Sequence, residues 1–260
     1  MKSIILVATH KKAPVPSSNL YLPVVVGANK NAVELNRDFA RDNSGMNISD
    51  KNPYYNELTA IYWAWKNLDD YDWIGLVHYR RYFIGTEYDH DLQTKILSSV
   101  DLEKYTSEFD IILPKPRNYF IESNYSHYVH AHHREPIEET KRIIQQYYPQ
   151  LLDSFNNVLN NTKAHMFNMF IMKKSDFDRY CTFMFDVLSK LETRIDTAGY
   201  STYELRVYGF ISELFLDTWI NNEHKKHPLK VLELPVKFTE HQNWVIKGAH
   251  FLKRKFMPEY

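Results

Sequence analysis

Two short apolar runs that end in histidine and basic residues constrain the fold of this chain most. Residues 3–9 have the sequence SIILVAT and are followed by His10, and residues 73–79 have the sequence WIGLVHY and are followed by Arg80. A continuous apolar run rich in β-branched residues is typical of a strand buried on both faces of a parallel sheet. Open α/β sheets bind ligands outside the carboxyl ends of such strands. We therefore expect the residues that follow these two runs to face a ligand.

The rest of the chain alternates between strand-like and helix-like patterns. The pattern predicts further strands at residues 22–26, 109–113 and 231–236, and helices at residues 52–68, 135–148, 150–160, 175–191 and 203–220. Residues 118–135 lack a clean period and predict a loop or a substrate-facing insertion. This alternation indicates an α/β fold with a mostly parallel central sheet flanked by helices. We expect one domain over residues 1–246, followed by a basic and aromatic tail at residues 247–260.

Composition and charge exclude several classes of protein. The chain has 32 basic and 32 acidic residues, so no overall field attracts nucleic acid. A single cysteine, Cys181, cannot form an intramolecular disulfide and fits a reducing cytosol. The first residues are too short for a signal peptide, and no apolar run reaches the length of a membrane span. We expect a cytoplasmic protein that meets the membrane from its surface. Its tail either docks on anionic lipid or is solvated. The oligomeric state is not predicted.

The strand ends supply candidate ligands for phosphate. Arginine offers charge and several donors in one plane, so Arg80 and Arg81 are predicted to bind a phosphate group. The alternative is that one of them pairs with a carboxylate and the other faces solvent. His10 and Lys11 stand in the equivalent place after the first run.

Two longer segments carry a family resemblance. Residues 42–67 have the sequence DNSGMNISDKNPYYNELTAIYWAWKN, and residues 72–83 have the sequence DWIGLVHYRRYF. Together they resemble a bacterial family long catalogued as a domain of unknown function and associated with capsular and exopolysaccharide glycosyltransferases. The resemblance covers residues 2–245. It implies a GT-A-like, Rossmann-type domain that binds a UDP-sugar. It also implies sugar transfer to a lipid-linked oligosaccharide, with galactofuranose among the family's specificities.

The chain departs from most GT-A enzymes in one respect. Those enzymes hold a divalent cation with an Asp-x-Asp motif at the end of a central strand, whereas here the strand ends in His78, Tyr79 and two arginines. A guanidinium can neutralise the donor diphosphate directly, so we predict that no metal cofactor is required. Residues 70–72 match Asp-x-Asp but precede the strand. Residues 89–91 also match and remain a weaker candidate metal site.

Further polar residues are predicted to bind the donor. Asn168 stands among Met and Phe side chains and is expected to bond sugar hydroxyls. Asp42, Asn43 and Asn47 lie in a glycine-containing loop and are either ligands of the nucleotide and sugar or turn formers. Thr9 and His78, at the two strand ends, complete the predicted donor site.

Histidines and one acid are the candidates for the acceptor side. Residues 125–133 have the sequence YSHYVHAHH, and His130, His132 and His133 are predicted to contact the acceptor. A metal site and a bland polar loop are the alternatives. Glu213 interrupts an apolar segment, where an unpaired carboxylate is costly. It is predicted to be the base that takes the acceptor's proton, or else an ion-pair partner of Arg206.

Overall fold

The computed structural model of the protein describes residues 1–31 and 39–240. The strands are β1 (Ser3–Thr9), β2 (Tyr21–Val25), β3 (Ala40–Arg41), β4 (Trp73–His78), β5 (Arg81–Phe83), β6 (Glu87–Asp89), β7 (Thr94–Ile96), β8 (Ile111–Pro114), β9 (Arg117–Asn118), β10 (Lys163–Ala164), β11 (Phe170–Lys173), β12 (Val231–Leu234) and β13 (Val236–Phe238). The α-helices are α1 (Asn52–Tyr55), α2 (Leu58–Asn67), α3 (Ser99–Thr106), α4 (Asn124–Ala131), α5 (Arg134–Tyr147), α6 (Leu152–Asn160), α7 (Lys174–Glu192), α8 (Val207–Ser212) and α9 (Phe215–Lys226).

The central sheet is mostly parallel, as the sequence predicts. Its strand order is β12-β8-β11-β4-β1-β2-β3, and β5 extends from β4 to β13. Strands β4, β1, β2 and β3 run parallel, and β8 pairs in parallel with β12. Strand β11 runs antiparallel between β4 and β8. The start of β11 therefore lies at the same edge of the sheet as the carboxyl ends of its neighbours.

The first apolar run is continuous because both faces of β1 are covered. Ile4 and Leu6 point into the larger hydrophobic cluster, which helices α2 and α5 to α9 complete. Ile5 and Val7 point into a second cluster on the opposite face, which includes Leu102 of α3. Successive side chains of a strand face opposite sides, so a strand between two cores must be apolar at every position. In the part of the chain that the structure describes, no helix combines the length and apolarity needed to cross a bilayer.

Three helical segments differ from the sequence prediction. The helix predicted over residues 52–68 is split into α1 and α2, since Asn56 has a φ of 50°. The helix predicted over residues 203–220 is interrupted after Ser212. Residues 118–135, predicted as a loop or a substrate-facing insertion, are not a loop throughout, because they contain α4. Helix α4 buries few apolar side chains, so its sequence shows only a weak helical periodicity of apolar residues. Its start is marked by Ser123, whose hydroxyl accepts from the Ser126 amide.

Asp42 joins the β2 end of the sheet to α2. Its carboxylate is fully buried and accepts from the amides of Gly27 and Ala28 at 2.7 and 3.0 Å. The hydroxyls of Ser49 and Thr59 also donate to it, each at 2.6 Å. A buried charge is tolerated when several donors surround it. Donors of the protein itself thus occupy the Asp42 carboxylate, which was predicted to bind the nucleotide.

We predict that Asp42→Ala lowers the free energy of unfolding by about 3 kcal/mol or more, because it leaves buried donors without an acceptor. Urea unfolding measures the change. Asn43→Ala is the matched control, since the Asn43 side chain only donates to Asn29 near the surface, and it should cost less than about 0.5 kcal/mol. Equal stability of the two variants would contradict this role for Asp42.

Candidate active site

A cleft of about 890 Å³ opens at the carboxyl edge of the sheet. Ala8 and His10 at the end of β1, Val26 after β2 and His78 at the end of β4 form its floor on one side. On the other side the cleft is walled by residues of β9, α4 and the segment around α8. Its volume is that of a pocket for a small organic ligand. The two apolar runs that the sequence singled out therefore both end at this cleft.

Basic side chains line the β1 and β4 side of the cleft. Lys11 and Arg80 both pair with Glu240, at 2.7 Å and 3.6 Å. Arg206 also lines the cleft, and its Nε donates to the side-chain oxygen of Asn56 at 2.9 Å. Burial, with the nearby charges of Arg80, Lys11 and Arg206, lowers the pKa of His10. This side of the cleft is thus suited to bind an anion, and in the structure its cations bind the carboxylate of Glu240.

Arg81 differs from Arg80 in its surroundings. Its guanidinium carbon lies 4.2 Å from the centre of the Phe167 ring and 5.5 Å from that of Phe238. Its Nε is buried and has no hydrogen-bond partner among the described residues. Burial and the charge of Arg80 lower the pKa of Arg81. Most buried donors are paired, so this unpaired Nε–H marks Arg81 as a buried cation that the protein leaves incompletely satisfied beside the cleft.

A left-handed turn before β11 brings several cleft residues together. Phe167 and Asn168 have φ values of 78° and 52°, which are uncommon for residues with a side chain. The carbonyl of Phe167 accepts from His78 Nε2 at 2.7 Å, and its amide donates to Glu213 at 3.2 Å. The amide of the Asn168 side chain donates to Glu57 at 2.8 Å. Strained turns of this kind persist where the surroundings hold them, often at active sites.

Glu213 lies between α8 and α9 rather than inside one helix, and its side chain lines the cleft. Burial raises its pKa to about 7, and the carboxylate of Glu57 adds to the rise, while the Phe167 amide and Arg81 oppose it. The alternative partner, Arg206, is directed to Asn56 instead. A carboxylate with a pKa near neutrality in a cleft can take up a proton during a reaction.

The structure separates the three predicted acceptor histidines. His132 lines the cleft and stacks on Phe210 with ring centres 4.1 Å apart. His130 does not line the cleft, and its Nδ1 lies 2.8 Å from the buried carboxylate of Glu122. His133 is also outside the lining and stacks on Tyr200 at 4.2 Å.

Several residues predicted to bind the donor lie outside the lining of the cleft. Thr9 donates to the carbonyl of Lys11 at 2.7 Å, and Asn47 bonds the backbone of its own turn. Asn168 is buried, and its amide is shared between Glu57 and Ser212. Asp42 and Asn43 are bonded within the loops that follow β2 and β3. These side chains shape the cleft instead of lining it.

The two Asp-x-Asp sequences also lie outside the cleft lining. Asp72 accepts from the backbone amide of Lys2 at the opposite, amino edge of the sheet. Asp89 belongs to the β6–β7 hairpin and accepts from the Leu92 amide. Among residues 1–31 and 39–240, no group of three or more His, Cys, Asp or Glu side chains is placed to hold a metal ion.

Sequence reasoning missed several residues of the cleft. Arg117, Tyr119, Tyr203 and Phe210 line it, and Glu240 pairs with its cations. Arg117 lies in β9, a two-residue strand that the sequence pattern did not predict. Two other lining residues have sequence signals. Glu57, in the first turn of the helix predicted over residues 52–68, is interpreted from the sequence as a cap or a ligand, and His127 belongs to the histidine-rich segment at residues 125–133.

The raised pKa of Glu213 predicts a pH-dependent stability. The folded protein holds this proton up to about pH 7, whereas the unfolded chain loses it near 4.5, so stability falls as pH rises between these values. Glu213→Gln removes that loss. We expect its free energy of unfolding to exceed the wild-type value by on the order of 3 kcal/mol at about pH 8, and by less than about 1 kcal/mol at about pH 5.

Urea unfolding across this pH range measures the effect. The control is Glu192→Gln, at an ion pair with Lys51 away from the cleft lining. It should leave the pH dependence unchanged. A Glu213→Gln protein with the wild-type pH dependence would show that this carboxyl does not titrate near neutrality.

Comparison with known proteins agrees with the motif resemblance. The chain is similar to a solved apo structure of WbbM, a bifunctional glycosyltransferase, with a TM-score of 0.83 and 28% sequence identity. The match covers 93% of this chain and 46% of that chain, so this protein spans less than half of the length of WbbM. No curated protein matches it. Residues 4–226 match the model of a domain of unknown function, DUF4422, and the protein therefore belongs to the DUF4422 family.

Proposed function

We propose that this protein is a GT-A-like glycosyltransferase that moves a sugar from a nucleotide-diphosphate donor to a carbohydrate acceptor. The observation that carries the proposal is the cleft, where cations at the ends of β1 and β4 face a carboxylate whose pKa is raised to about 7. Likeness to the glycosyltransferase WbbM supports it. A fold alone does not fix an activity, so the chemistry of these residues has to explain the transfer.

The cations have the task of binding the leaving group. In the transfer, the bond between the anomeric carbon and the diphosphate oxygen breaks, and its electron pair leaves with the diphosphate. Arg81, which lines the cleft, and Arg80 and Lys11, which now share Glu240, can stabilise that charge. The diphosphate would take the place of the Glu240 carboxylate. Because guanidinium groups stand where a metal-binding motif is usual, the proposal does not require a divalent metal.

Glu213 has the task of activating the acceptor. An acceptor hydroxyl forms the new bond to the anomeric carbon and passes its proton to the Glu213 carboxylate. The raised pKa of Glu213 matches this task, since a base works best when its pKa lies near the working pH. His132, on the α4 side of the cleft, is the proposed contact with the acceptor.

The resemblance to the family supports a finer proposal. We infer that the donor is a UDP-sugar, with UDP-galactofuranose the first to test, and that the acceptor is a lipid-linked oligosaccharide of a capsular or exopolysaccharide. The protein would then work at the cytoplasmic face of the membrane. The basic tail at residues 247–260, which is outside the described residues, is the proposed contact with anionic lipid. Thermal-shift screening of UDP-sugars tests the donor, since a ligand of the folded state raises its stability.

We predict that Arg81→Ala and Glu240→Gln have opposite effects on the affinity for UDP, measured by calorimetry in EDTA. Arg81→Ala should weaken binding about tenfold or more, since a charge-assisted hydrogen bond contributes about 1.5–3 kcal/mol. Glu240→Gln should strengthen binding, because the competing carboxylate charge beside Lys11 and Arg80 is removed.

Arg142→Ala is the control for these variants, since Arg142 is exposed and pairs within its own helix. Wild-type UDP affinity in both Arg80→Ala and Arg81→Ala would show that the arginines are structural. Loss of UDP binding in EDTA, with recovery on adding Mn²⁺ or Mg²⁺, would show that a metal does the work assigned to them.

We predict that Glu213→Gln lowers the rate of sugar transfer by about 10²–10⁴, the range for loss of a general base. Its UDP affinity should stay near the wild-type value, since the change removes a proton acceptor and not a cation. In the wild-type enzyme, kcat should rise with pH through about 7.

Product analysis with a labelled UDP-sugar completes this test, and Glu192→Gln should transfer at the wild-type rate. A fully active Glu213→Gln would exclude this residue as the base. Release of free sugar in place of transfer would indicate a nucleotide-sugar hydrolase. UDP binding without turnover of any donor would indicate a non-catalytic assembly protein.

A further inference from the structure

The cleft contains a second carboxylate besides Glu213, that of Glu57. It lies at the start of α2, directly after Asn56 with its left-handed backbone. Its side chain does not cap its own helix and lines the cleft instead. Oε1 accepts from the amide of Asn168, and Oε2 makes no hydrogen bond to the residues that the structure describes. One oxygen is thus anchored and the other remains available to a ligand.

Glu57 and Glu213 converge from different helices on one turn. Glu213 accepts from the backbone of Phe167, and Glu57 accepts from the side chain of Asn168, the next residue. Two carboxylates this close disfavour each other's charge. The charge of Glu57 is one of the causes that raise the pKa of Glu213. The two carboxylates are therefore suited to different tasks: Glu57 can act as a negative charge, and Glu213 can accept a proton.

We propose that Glu57 is a catalytic residue whose fixed negative charge lies against the anomeric carbon of the donor sugar. This inference rests on the proposed glycosyl transfer. As the bond to the diphosphate breaks, positive charge develops on that carbon and its ring oxygen. A carboxylate held by Asn168 at the cleft floor stabilises that charge without having to reorganise.

Two arginines and a histidine also surround the pair. Arg81 of β5 and Arg117 of β9 lower the pKa of Glu213, and the charge of Glu57 raises the pKa of Arg81. His78 of β4 approaches the turn from the sheet, where it donates to the carbonyl of Phe167. Burial lowers the pKa of His78, which favours its neutral form. Among the residues that the structure describes, Glu57 is an acid whose charge raises the pKa of Glu213.

The first test measures this coupling without turnover. Unfolding of the wild type, Glu57→Gln, Glu213→Gln and the double variant is followed from about pH 5 to pH 8. We expect the difference in pH dependence between the wild type and Glu213→Gln to be larger than the difference between Glu57→Gln and the double variant. The other titrating groups cancel in these differences. An unchanged pH dependence in Glu57→Gln would overturn the pairing of the two carboxylates.

The second test measures transfer. Glu57→Gln should lower kcat by about 10²-fold or more, comparable with the loss of other transition-state stabilising groups, and leave UDP affinity within about threefold. Glu192→Gln is the matched control and should keep the wild-type kcat. A Glu57→Gln protein with wild-type kcat would overturn the inference while leaving the proposed function intact. A wild-type protein that transfers no sugar would instead overturn the proposed function, and the unfolding test would still report the pairing.

If Glu57→Gln fails to fold, Glu57→Asp keeps the charge and withdraws it by one methylene. This variant should retain most of the pH dependence of unfolding and lower kcat by about tenfold, because the charge no longer reaches the sugar. Wild-type kcat in Glu57→Asp would overturn the contact between Glu57 and the reacting carbon.

Discussion

The left-handed turn at Phe167 and Asn168 holds the cleft together. Its two positive φ values require outside support, and the support comes from His78 on the sheet and from Glu213 and Glu57 on two helical segments. Each of these contacts is a hydrogen bond to the backbone of Phe167 or to the side chain of Asn168. The same bonds that hold the turn therefore fix the positions of the side chains to which we assign chemistry.

The antiparallel strand β11 explains why this turn reaches the site. A parallel strand in the same place would bring its carboxyl end to the cleft and its amino end to the opposite edge. Because β11 runs the other way between β4 and β8, its entrance lies beside the ends of both. The carboxyl edge thus receives polar groups from the entering strand as well as from the leaving ones.

Electrostatic balance divides the cleft into two parts. Near β1 and β4, Lys11 and Arg80 are exposed enough to exchange the Glu240 carboxylate for another anion. Around the turn at Phe167 and Asn168, burial dominates, and it raises the pKa of Glu213 while lowering that of Arg81. Solvated charges attract a ligand over a distance, whereas desolvated ones act strongly at contact. The arrangement suits a ligand with an anionic group at one end and a reacting carbon at the other.

The amino-acid sequence by itself determined the mostly parallel sheet and the edge at which the cleft lies. The apolar run at residues 3–9 is confirmed as β1, because a strand between two hydrophobic clusters has no position for a polar side chain. The same reasoning brought His10 and Arg80 to the cleft. The tertiary structure alone decided that Glu57 and Glu213 meet the same turn and that Asp42 and Asn168 act as internal supports. Their hydrogen bonds join segments that are distant in the chain, and local patterns carry no record of which polar group meets which.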